Sequence, residues 1–133
     1  MSRLVFGLLT VTVVGTAAYW IGFFAAGETL HASTTDVYDA FERAFPVADG
    51  WMAACAAAAA VGLLRGRAWA APAGIAAGSA LVYLGLMDVA FDVEQGLYAQ
   101  RSGAMAVEIA INVFCLSVGP FLIGWFALTP PRG

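Results

Sequence analysis

The fold class the sequence predicts is an all-α integral membrane protein, with four transmembrane helices packed as one compact bundle over residues 1–133. Three observations lead there. The chain is 62% hydrophobic and 11% charged, whereas soluble domains run at about 45–50% and about 25%. Four apolar runs, at about 4–26, 46–64, 68–92 and 104–128, each approach the ~20 residues that a spanning helix needs at ~1.5 Å rise per residue. The basic residues are all arginine and lie unevenly: Arg3, Arg65, Arg67 and Arg132 fall on one side of the spans, Arg43 and Arg101 on the other. Positive-inside counting then places both termini in the cytoplasm, and a prokaryotic plasma membrane is the expected location.

The first run is too long for a signal-peptide core of about 7–15 residues, so it reads as a span. Its stripe Thr12, Gly15, Tyr19, Gly22, Ala26 is small apart from Tyr19. By helical rise Tyr19 lies about 10 Å inside the outer end of the run. Tyr19-Trp20 reads either as an interfacial aromatic anchor or as a polar partner inside the bundle.

The following loop, Gly27–Phe45, carries Glu28, Asp36, Asp39 and Glu42 against Arg43 alone. Ser33-Thr34-Thr35-Asp36 resembles a helix start, with Ser33 as N-cap and Asp36 at the capping-box position. Val37, Tyr38, Phe41 and Phe45 then recur at helical spacing, which predicts a short amphipathic helix over Asp36–Ala44. It would lie on the extracytoplasmic membrane surface or cap the bundle mouth. His31, the only histidine, reads as an exposed loop residue.

Pro46 opens the second span in a favoured first-turn position, with Asp49 one turn in. Asp49 can be an acid favoured by the helix N-terminus or a site residue. The alanine-rich stretch Ala53–Ala60 lets neighbouring backbones approach, which predicts this helix to be the most enclosed. Arg65-Gly66-Arg67 is a tight turn. Pro72 sits in the first turn of the third span, and Gly119-Pro120 should loosen the fourth. Cys55 and Cys115 lack CxxC spacing and read as small buried hydrophobes, a redox pair being the weaker option.

The third and fourth spans carry the unusual chemistry. Gly74, Gly78, Leu81, Gly85, Asp88 and Asp92 step by +4, +3, +4, +3, +4 and share one helical stripe. Glu108, Asn112, Cys115 and Gly119 step by +4, +3, +4 and share another. Gly74, Gly78, Gly85 and Gly119 are thus expected to be helix-packing positions, and the acids lie on those same faces and not towards lipid. An acid at mid-bilayer costs roughly 2.5–3.5 kcal/mol on insertion scales, so each needs a reason. Interfacial placement would serve for Glu94 and Asp92. Helix–helix hydrogen bonding, at about 0.6 kcal/mol each, is a weak reason for several carboxyls.

The expected ligand-binding set is Asp49, Asp88, Asp92, Glu108, Asn112 and Tyr19. No basic residue within the spans can pair with the acids. The missing positive charge must be a proton, a metal ion, a cationic ligand or a residue of a partner chain. No metal ligands are assigned and no cofactor is predicted, although carboxylates and an amide would suit a hard divalent cation.

Inventory excludes several functions. Without lysine there is no retinal or pyridoxal Schiff base. Without CxxC a disulfide-exchange enzyme does not fit, and no basic patch points to nucleic acid. Three readings remain. One is an outward-facing intramembrane acidic pocket that binds or transports a cation, proton or cationic amphiphile. Another is a structural or accessory subunit of a larger membrane complex or homo-oligomer. The third is an acid–base lipid isomerase or cyclase using Asp88, Glu108 and Asn112. Membrane lipids are the expected surroundings in all three.

Overall fold

A computed structural model describes residues 2–129. Arg132 falls outside the described residues. Five α-helices follow one another: α1 (Ser2–Ala25), α2 (Asp36–Glu42), α3 (Phe45–Leu64), α4 (Ala70–Glu94) and α5 (Gly103–Leu128). Short 3-10 turns occupy Gly27–Leu30 and Leu97–Ala99. α1, α3, α4 and α5 are long and apolar enough to cross a membrane, with α2 leading into α3. Their bounds lie within about two residues of the four apolar runs, since length and hydropathy are strong signals in such a chain.

Successive long helices run antiparallel. Trp20 of α1 meets Asp49 of α3, Gly62 of α3 meets Ala70 of α4, and Gly85 of α4 meets Cys115 of α5. The bundle therefore has two distinct ends. The turn end holds the Arg65-Gly66-Arg67 turn, with Gly66 at φ 59°. Ser2 and Thr129 lie at the same end, beside Arg67. The loop end holds the long connection between α1 and α3 and the shorter one between α4 and α5.

The helices pack in the order α1 on α3, α3 on α4 and α4 on α5. α3 and α4 are thus the inner helices, with α1 and α5 at the two ends of the series. The expectation that α3 would be the most enclosed helix holds only in part: its alanines do pack, with Ala56 and Ala59 fully buried, but α4 is flanked on both sides as α3 is. α1 is the least buried of the four.

The α4–α5 contact is a backbone-to-backbone approach. A Cβ on Gly119 would sit 2.8 Å from the Gly78 carbonyl oxygen, and one on Gly78 would sit 2.7 Å from that of Gly119. A Cβ on Gly74 would enter the ring of Phe126, and one on Gly85 would reach 2.9 Å from the Cys115 Cβ. Absent side chains are what allow this spacing. α5 continues through Pro120. Cys55 and Cys115 are buried free thiols.

Helix α2 begins at Asp36, as expected, but its cap is Thr35, which corrects the assignment of Ser33. The Thr35 hydroxyl accepts the Tyr38 backbone N–H at 3.2 Å. The physical reason lies in Tyr38, whose hydroxyl accepts the Ala32 N–H at 3.0 Å. That bond folds residues 32–35 back over the ring, and a helix started at Ser33 would unfold this return. Phe41 stacks on Phe91 of α4 at 3.9 Å between ring centroids. α2 therefore caps the bundle instead of lying flat beside it. His31 is only half-buried and stacks on Phe23 at 4.1 Å, so it is a packed residue and not an exposed one.

Candidate functional site

Below the α2 cap the helices enclose a cavity of about 350 Å³. Its walls come from α1, α2, α3, α4 and α5. Tyr19, Asp49, Asp88, Glu108 and Asn112 all line it, so two acidic stripes distant in sequence face one space. The reason is register: the glycine contact fixes α4 against α5, and Asp88 lies one turn beyond Gly85 just as Asn112 lies one turn before Cys115. Below the acids the walls are mostly apolar, including Met52, Leu81, Leu84, Ile111 and Phe114, with Thr12 and Thr16 of α1 as the polar exceptions.

Asp92 stands apart. It is 1% exposed but is not part of the cavity wall. Neither of its carboxyl oxygens has a hydrogen-bond partner among the described residues. Its interfacial reading is thus corrected, while Glu94 is exposed as expected.

Hydrogen bonds tie the acids to aromatic side chains. The Trp20 indole N–H donates to Asp49 Oδ2 at 2.7 Å. Tyr38 donates its hydroxyl proton to Glu108, and the Tyr19 hydroxyl lies a long 3.5 Å from Glu42 Oε2. The Asn112 side-chain amide donates to the Tyr98 hydroxyl at 3.4 Å. Tyr98, in the 3-10 turn outside the long helices, has its hydroxyl pushed up, first by burial and then by the Asp92 carboxylate.

Glu108 and Asn112 are 3% and 4% exposed, yet Glu108 Oε2 and Asn112 Oδ1 have no partner among the described residues. A buried acceptor left unpaired costs about 1–3 kcal/mol, more when charged. Both residues border the cavity, and each keeps one buried acceptor without a protein partner among the described residues.

Sequence reasoning missed four residues. Glu42 is 5% exposed and lines the cavity, although the sequence places it in the short amphipathic helix without a site role. The signal was available, since Glu42 follows Tyr38 by one helical turn and so shares its face. Tyr38 reads there as part of the amphipathic spacing, Trp20 with Tyr19 as an interfacial anchor or a polar partner, and Tyr98 has no assigned role, because nothing local assigns a partner to a phenol or an indole.

No lysine, arginine or histidine lines the cavity. Among the described residues, no group of three or more His, Cys, Asp and Glu side chains is placed to hold a metal ion. No protein-family model, curated protein or solved structure matches the chain.

Proposed function

We propose that the four long helices insert in a membrane with both ends of the chain cytoplasmic, and that the cavity binds an organic cation bearing an apolar body. One observation carries this reading. A single cavity joins four carboxyl side chains, Glu42, Asp49, Asp88 and Glu108, to an apolar floor and contains no basic residue. Its volume suits a small organic molecule, for which pockets run at about 300–1,000 Å³. The acids supply charge complementarity, and the floor takes the apolar part.

A metal ion is less well supported, because the acids are tied to Trp20, Tyr19 and Tyr38 and converge on no common point. Protons are the natural competitor. Close carboxyls cannot all carry charge in a low-dielectric space, so an occupant that brings positive charge must displace protons from them. Binding should therefore weaken as pH falls, because protonation removes the negative charge that attracts the cation.

Isothermal titration of tetraphenylphosphonium into the detergent-solubilised protein tests this. Wild type should bind saturably and release protons. Asp88→Asn combined with Glu108→Gln should stay monodisperse and bind about tenfold or more weakly, a loss of about 1.4 kcal/mol or more. Equal binding by wild type and this double variant would reject the site. Loss of a co-purifying protein instead of a cation would make the acids an assembly interface.

A further inference from the structure

The cavity has a closed top, a closed floor and one unpacked side. At the loop end α2 is clamped by three contacts: Tyr38 to Glu108 of α5, Phe41 stacked on Phe91 of α4, and Glu42 beside Tyr19 of α1. The turn Gly27–Leu30 packs against both α1 and α5 above the cavity. Towards the turn end, Leu122 and Phe126 of α5 and Val5 and Leu9 of α1 are buried with the α4 glycines. That half is solid.

The remaining pair of helices differs. α1 packs on α3 and α5 packs on α4, but α1 and α5 share no comparable packed face among the described residues. The residues lining the cavity on these two helices include exposed ones: Val11 is 54% and Val107 38% exposed. Gly15 and Ala110 also line the cavity and are exposed. All four are apolar or lack a side chain, and all lie well inside helices of membrane-spanning length. A Cβ on Gly15 would meet nothing within 4 Å, so open space adjoins it.

Resting on the proposed membrane insertion and cation site, we infer that the cavity is loaded sideways from the bilayer through the slot between α1 and α5. Its ligand is then a membrane-dissolved organic monocation with a chain or bulky apolar body. The charged group seats at the loop end among Asp49, Asp88 and Glu108, and the apolar body lies along Leu84 and Phe114 and out through the slot. Charge complementarity chooses this occupant over a neutral lipid chain. The largely apolar rim, with Thr16 its polar exception, chooses the bilayer over water as the route, because a hydrophilic cation would shed most of its hydration there without replacement.

The test uses full-length protein in phosphatidylcholine nanodiscs, with Trp51, Trp69 and Trp125 replaced by Phe so that Trp20, bonded to Asp49, reports the site. Dodecylpyridinium and N-methylpyridinium carry the same quenching head group with and without a chain. Dodecylpyridinium should quench saturably, with an association rate that falls about tenfold in Gly15→Phe and rises in Val107→Ala. N-methylpyridinium should give no saturable quenching at the same aqueous concentration. Equal association of both probes, or rates indifferent to both rim variants, would overturn lateral loading while leaving the cation site standing. Absence of saturable quenching by either probe, together with no tetraphenylphosphonium binding, would remove the site and the slot together.

Discussion

The two halves of the bundle use the same helices for opposite ends. In the turn-end half α4 and α5 approach until the Gly78 and Gly119 backbones touch, and Leu122 and Phe126 are buried beside that contact. In the loop-end half those helices carry Asp88, Asn112 and Glu108 on the same stripes, and a cavity separates α1 from α5. The solid half fixes register and the open half exploits it. Small residues give close packing without polar groups, whereas carboxyls require space, partners or an occupant. A helix pair that had to position unpartnered acids would need a rigid foundation elsewhere, and the glycine contact provides it.

The sharpest contrast comes from truncating leucines. Leu122→Ala in the solid half should destabilise by about 2–5 kcal/mol, because a fully buried side chain leaves a void that cannot collapse. Leu84→Ala, on the cavity wall, should cost clearly less, since its neighbours already border open space. Thermal unfolding of both variants in one detergent measures the difference, and equal costs would mean that the cavity is filled by protein.

Glycine substitutions come next. Gly119→Ala puts a Cβ against the Gly78 carbonyl and Val82, and should cost about 1–3 kcal/mol as overpacking. Gly15→Ala meets nothing and should be neutral or stabilise by about 0.5–1 kcal/mol through helix propensity. Equal melting temperatures for the two would break the proposed division between halves.

Tyr38→Phe should cost about 1–3 kcal/mol by leaving Glu108 without its only partner among the described residues. The loss should shrink when Glu108→Gln is already present, and a double-mutant cycle with no coupling would contradict the bond. Thr35→Ala, which removes the α2 cap, is worth about 1 kcal/mol at most. It should show as faster amide exchange in residues 36–42, with little change in global melting.

Much of this was legible in the sequence. The four runs gave the long helices, because apolar length is decisive where few charges interrupt it. The +4, +3 stepping placed Gly74, Gly78, Gly85, Asp88 and Asp92 on one face, and helical geometry left little freedom. What the sequence could not give was how far round each helix the neighbours reach. Asp88 and Asp92 share a stripe, yet Asp88 lines the cavity and Asp92 is buried outside it, a distinction that stripe membership does not carry. Nor could it show that α2 folds inward. Its amphipathic spacing fits a membrane surface as well as a bundle mouth, and the decision rests on tertiary bonds from Tyr38 to Ala32 and Glu108. The tie from Trp20 to Asp49 spans 29 residues and has no local signature at all.

The most direct test of the central claim is native mass spectrometry of the protein gently solubilised from its own membrane, with and without added tetraphenylphosphonium. A cation site predicts an organic-cation adduct on the wild-type chain that is lost in Asp88→Asn with Glu108→Gln. Co-purifying protein subunits with no adduct, unchanged by the probe, would contradict it and assign the buried acids to a partner's basic residues.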